Sequence, residues 1–155
     1  IVDTLNTWRK LWKDSGQMVP RPPVFLTRSV YVAETDERAY EEAAQYLPQA
    51  YSWGEEKFSI PQIGTREFTN RDETYDPKQE IGREMFTGMR TGIDFWLKHN
   101  LAYIGSPDTV IRKIEETRKT MDYDVFGGRF KFGPIPDRLV EKSLRLFGEH
   151  VMPHF

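Results

Sequence analysis

Three groups of residues in this chain have types and spacings that could do chemistry. The first is a pair of arginines set in apolar, β-branched runs. Arg28 sits within residues 24–33 and shares its parity with Val24, Leu26, Val30 and Val32. Arg129 sits within residues 124–132 and shares its parity with Lys131. A guanidinium among apolar strand residues must find a partner, because an unpaired buried charge is expensive. For Arg28 the alternatives are an acid on a neighbouring strand, or a ring carbonyl or anion of a bound ligand. For Arg129 and Lys131 they are a cationic mouth at the strand end, or helix carboxylates and solvent. Gly127-Gly128 allows close backbone approach there, and packing is the favoured reading.

The second group is Trp53, Phe58 and Phe68, in a 52–79 stretch with no sustained period. Such a stretch is a lid that keeps water from a reactive site, or a surface excursion whose aromatics dock on the body. The third group is His99, His150 and His154, with the pairs Glu41/Glu42 and Glu115/Glu116. His150 and His154 have the i,i+4 spacing of helical metal ligands, but Pro153 interrupts them and no metal is expected. The carboxylate pairs read as solvated helix faces. There is no phosphate-binding glycine loop, nucleophile elbow or zinc spacing.

The elements that must hold these residues alternate in type. Residues 3–15 predict a helix capped by Asp3, with Leu5, Trp8, Leu11 and Trp12 on one face. Residues 18–23 are a proline-stiffened connector. Residues 24–33 predict a strand covered on both faces. Thr35 or Asp36 starts a helix to about Tyr51, with Ala39, Tyr40, Ala43, Ala44 and Leu47 inward. Residues 80–99 return to helical spacing, and Ser106-Pro107-Asp108 starts another helix. Residues 123–132 predict a second strand. Pro136-Asp137 opens a last helix that buries Leu139, Val140, Leu144, Phe147 and Val151.

Two strands separated by helices imply a parallel pair with a right-handed crossover. Such a pair, apolar on both faces, has open edges and needs more sheet from another segment or another copy.

Composition narrows the function classes. The chain has 155 residues, 38% hydrophobic and 14% aromatic, which suits one domain with a sizeable core. A formal net charge of −2 gives no reason to expect nucleic acid. There is no cysteine, so disulfides and thiolate metal sites are excluded. No apolar run approaches the ~20 residues that span a bilayer, so no membrane partner is expected. No signal peptide is visible, and the expected location is cytoplasmic. The start at Ile1 rather than Met raises the expectation of sequence upstream.

Three segments carry a resemblance. They are Arg28-Ser-Val-Tyr-Val-Ala-Glu-Thr-Asp36, Ile104-Gly-Ser-Pro-Asp-Thr-Val110, and Ser143-Leu-Arg-Leu-Phe147 running on to Val151-Met-Pro153. In that order and spacing, over roughly residues 24–155, the chain resembles the C-terminal portion of the bacterial luciferase-like flavin monooxygenases. The resemblance implies the last part of a TIM (β/α)8 barrel, spanning 1–155 with 52–79 as a lid-like insertion. It implies an enzyme that uses reduced FMN from a partner flavin reductase, and O2, to oxygenate a small organic substrate. The deazaflavin F420 is the alternative cofactor. Arg28 and Arg129 become the candidate flavin contacts, and Trp53, Phe58 and Phe68 the candidate substrate contacts. A family barrel needs eight strands, so this chain alone is expected to be inactive without a missing N-terminal barrel half. The alternative is a complete small non-catalytic module that binds flavin or self-associates as a homo-oligomer.

Overall fold

The computed structural model describes residues 2–50 and 88–155. Trp53, Phe58 and Phe68, with the whole 52–79 insertion, lie outside the described residues.

The core is a parallel sheet of β1 (Phe25–Val32), β2 (Ala102–Gly105) and β3 (Val125–Arg129), in the order β2-β1-β3. Two strands are expected from the sequence, and three are present among the described residues. The extra strand is β2. Its four residues are too few to display a strand pattern, and they run straight into the Ser106-Pro107 helix start. The expected pairing of the two longer strands is parallel, from Phe25 opposite Val125 to Ser29 opposite Arg129. β2 takes the other side of β1, from Ser29 opposite Ala102 to Val32 opposite Gly105. β1 is thus central, which is why its sequence is apolar on both faces.

Around the sheet, among the described residues, lie α2 (Asp36–Ala44), α3 (Ile93–Lys98), α4 (Pro107–Met121) and α5 (Asp137–Leu146). The first helix, α1 (Val2–Asp14), precedes it, and Asp3 lies inside its first turn rather than capping it. On one sheet face Val30, Val32 and Tyr103 pack with Val110 and Ile114 of α4. On the other, Tyr31, Ala33, Ala102 and Ile104 pack with Ala39 and Ala43 of α2 and with Ile93 and Trp96 of α3. The chain leaves β2, crosses behind β1 through α4, and returns as β3 on the far side.

Helix ends follow the expected chemistry. Thr35 Oγ1 accepts the Arg38 N–H at 3.2 Å to cap α2, and Ser106 Oγ accepts the Thr109 N–H at 3.4 Å to cap α4. At the other end of α4, Arg9 reaches from α1 to donate to the carbonyls of Met121, at 2.8 Å, and Asp122. A cation there answers the helix's unsatisfied carbonyls.

Three further differences from expectation have physical causes. The last strand ends at Arg129, so the alternation that would align Lys131 with it stops; Lys131 Nζ instead donates to the Ile135 carbonyl at 2.7 Å and to Asp137. Leu144 is exposed, because α5 turns Leu139 and Ser143 inward, the latter onto the C-terminal end of the central strand β1. Tyr40 is also largely exposed, its hydroxyl donating to Asp94 at 2.9 Å.

Candidate functional site

The two strand arginines face opposite ways. Arg28 shares the α4 side of β1 with Val30 and Val32. Its Nε donates to the Asn100 carbonyl at 2.6 Å, one Nη to the Thr27 carbonyl at 2.8 Å, and the other lies 3.9 Å from the Met121 sulfur. Asn100 precedes β2, and Met121 ends the helix that runs back against the strands. The guanidinium therefore points toward the N-terminal ends of the strands. It holds a turn whose pivot, Asn100, has a φ of 52°. In parallel α/β folds the chemistry gathers at the opposite, C-terminal ends.

Arg129 closes β3 on the other face. Its Nη2 donates to Ser29 Oγ at 2.8 Å, across a registered strand pair. Ser29 is 1% exposed, whereas Arg129 is exposed. The same face continues toward the strand N-termini through Thr27, Phe25 and Val125. There α2 and α3 no longer cover it, and Phe25 is 63% exposed. The Phe25 ring sits on Gly127, where a Cβ would come within 2.7 Å of it. Gly128 is held close by Phe130 in the same way, at 2.8 Å. The glycine pair thus serves packing of aromatic rings.

The C-terminal end of β1 carries a polar lock that the sequence reading misses. The buried Tyr31 hydroxyl donates to Glu42 Oε2 at 2.7 Å. Glu42 also receives Arg38 Nε at 3.1 Å and Lys142 Nζ at 3.1 Å, and Lys142 reaches Glu34 at 2.9 Å. Burial pushes Glu42 up, but these three donors outweigh it and hold the carboxyl below its ordinary value. Burial, and then the bond to Glu42, pushes the Tyr31 phenol well up. Glu42 is therefore not on a solvated face as expected. Its helical neighbour Glu41 gives no hint of the difference, because the distinction depends on Lys142, 100 residues away.

Two more contacts fix the same end. Asp36 accepts the Ser106 N–H at 2.6 Å and the Thr109 hydroxyl at 2.9 Å. The Ser106 backbone, foremost, keeps the Asp36 carboxyl below its ordinary value. The position where an anion would meet the α4 N-terminus is thus filled by the chain's own carboxylate. A Cβ on Gly105 would lie 2.7 Å from Asp36 Oδ1, so only glycine allows this approach. The buried Ser143 accepts the Val32 N–H at 2.8 Å, where β3 has already ended. Ser143 thereby satisfies a backbone donor that the short strand would leave unpaired.

The histidines pair locally: His154 Nε2 lies 3.1 Å from Glu115, and His150 lies 3.9 Å from Glu149.

Fold and site define an α/β protein with parallel strands, presenting aromatic rings and an arginine on a half-open sheet face. A family model of luciferase-like monooxygenases matches residues 1–123, and the chain belongs to that family. Two solved structures share the fold. One is the monooxygenase RslO1 from Streptomyces bottropensis, 18% identical, TM-score 0.56. The other is the oxygenating constituent of 3,6-diketocamphane monooxygenase from Pseudomonas putida, a type II Baeyer-Villiger monooxygenase in complex with FMN, 20% identical, TM-score 0.58. Each alignment covers 98% of this chain but only 37% and 40%, respectively, of the other. No curated protein matches the chain. No helix among the described residues is long and apolar enough to cross a membrane.

Proposed function

We propose that this chain supplies one side of the active site of a flavin-dependent monooxygenase that uses reduced FMN and O2 to oxygenate a small organic substrate. The observation that carries the proposal is the half-open sheet face ending in Arg129, on a fold shared with monooxygenases. α4 and Val151 cover one sheet face, whereas α2 and α3 cover only part of the other. In this reading the half-open face, with Thr27, Ser29, Gly127 and Arg129, is the one turned inward. The missing barrel half would close over it.

The residues present fit one edge of a flavin ring and not its phosphate. Arg129 closes β3 at its C-terminal end and, among the described residues, keeps N–H donors beyond its bond to Ser29. The α4 N-terminus is taken by Asp36 and is closed to a phosphate, which in this reading is held outside the described residues. Reduced FMN, when bound, supplies the electrons for O2 activation. Arg129 would hold a ring oxygen, with Ser29 fixing its fork. Trp53, Phe58 and Phe68 of the 52–79 insertion would exclude water and meet substrate. Arg28 would act from a distance by holding the Asn100 turn, rather than by touching the cofactor. The FMN of the diketocamphane enzyme favours FMN over F420. Supply of reduced FMN by a flavin reductase, and a cytoplasmic location, belong to the same proposal.

Quenching of FMN fluorescence, measured on the protein expressed from its complete reading frame, tests this reading. Saturable FMN binding that Arg129→Met weakens roughly tenfold, as expected for loss of a charge-assisted hydrogen bond, supports it. Wild-type protein that binds no flavin overturns it. Among the described residues the outer edges of β2 and β3 pair with no further strand, which favours a second reading, a self-associating flavin-binding module. Light scattering separates the two: the 155-residue chain alone would then form a stable oligomer of fixed size.

A further inference from the structure

On the sheet face opposite Arg129, a cleft of about 410 Å3 opens between α4 and the C-terminal turns that follow α5. Phe126 of β3 forms its floor, with Ile114, Tyr123 and Phe147 as walls. These walls are fixed by their neighbours. Phe126 stacks on Tyr103 with centroids 5.7 Å apart and planes 11° from parallel. Phe147 meets Phe130 edge-on at 5.1 Å. The Tyr123 hydroxyl is spent on the Ile114 carbonyl at 3.1 Å. Met152 and Phe155 form the outer rim, and the turn bearing them is tied to α4 by the His154–Glu115 contact.

Two charged side chains reach the cleft, and they differ in what they have left to offer. Asp124 is saturated: it takes both Arg21 nitrogens at 2.8 Å and the Val24 N–H at 2.6 Å. Arg118 is exposed, with no hydrogen-bond or ion-pair partner among the described residues. Rigid aromatic walls reward a flat apolar body, and an uncommitted guanidinium fork rewards a carboxylate.

We propose that this cleft binds a small aromatic carboxylate, its ring between Phe126 and Phe147 and its charge on Arg118. The site is separate from the sheet face assigned to flavin, so either proposal can fail without the other.

Calorimetric titration of the protein with 2-naphthoate tests it, with 2-acetylnaphthalene as the neutral body of similar shape. Saturable one-to-one binding is expected. Arg118→Ala should weaken 2-naphthoate roughly tenfold and leave the ketone nearly unchanged, since only the charge-assisted bond is lost. Met152→Trp, which fills the mouth, should weaken both. Circular dichroism melting checks that both variants remain folded. Absence of saturation, or 2-naphthoate affinity indifferent to Arg118→Ala, overturns the proposal. So does a dimer that Phe155→Ala converts to monomer, because a second copy would then cover the cleft.

Discussion

On the face of β1 that carries Val30 and Val32, α4 and Val151 bury both residues to 0% exposure. On the face that carries Thr27 and Ser29, cover stops halfway. Tyr31 is fully buried beneath α2, yet Phe25, six residues earlier on the same face, is 63% exposed. The two arginines follow their faces. Arg28, on the sealed side, spends its donors on carbonyls. Arg129, on the open side, spends one donor on Ser29 among the described residues. A charged residue in an apolar strand is thus a structural strut on one side and an available group on the other.

Four experiments sharpen or break that contrast. The largest effect is expected from truncation on the sealed face. Ile114→Ala should cost about 2–5 kcal/mol in urea denaturation, whereas Phe25→Ala should stay within about 0.5 kcal/mol. Equal losses would mean that the open face is packed in solution. Next comes the strand end. Ser143→Ala leaves the buried Val32 N–H without an acceptor and should destabilise by about 1–3 kcal/mol, with Ser143→Thr milder if its hydroxyl reaches the same place.

The third experiment sets the arginines against each other. Arg28→Met should cost about 1 kcal/mol of stability through the Asn100 turn and leave FMN binding unchanged. Arg129→Met should do the reverse. Swapped outcomes would reverse the assignment of the two faces.

The smallest effect is a pH dependence. Arg21, foremost, holds the Asp124 carboxyl down to about 2, from an ordinary value of 3.8. A depressed folded value means stability that is present above pH 3.8 and lost as pH falls toward about 2. Acid-unfolding curves of Asp124→Asn should therefore be flatter than wild type across that window. A parallel pair of curves would show that the Arg21–Asp124 contact contributes nothing there.

Much of this was legible in the residues. Alternation was unnecessary for β1, because an apolar run bounded by Pro23 and Thr35 already implied a strand buried on both faces. Ser106-Pro107 and Thr35 announced their helices through local cap chemistry. β2 was not legible, since four residues cannot show a period and its pairing with β1 bridges about 70 positions. The 52–79 insertion stands outside the comparison. For the candidate site, the sequence pointed to both arginines but could not separate them, and it offered no sign of the Tyr31–Glu42–Lys142 lock. Parity within a strand is local, but which parity faces a helix depends on where the crossover passes.

The sequence by itself determined the α/β class, the parallel pairing of β1 with β3, the caps of α2 and α4, and the family resemblance through three ordered segments. Each rests on neighbours within a few residues or on signatures in fixed order. The tertiary structure alone decided that β1 is central, that Arg28 turns toward the N-terminal ends of the strands, and that, among the described residues, Arg129 bonds only Ser29 and Arg118 has no hydrogen-bond partner. Those outcomes depend on which distant backbone and side-chain groups arrive within hydrogen-bonding distance, and only the packed chain brings them together.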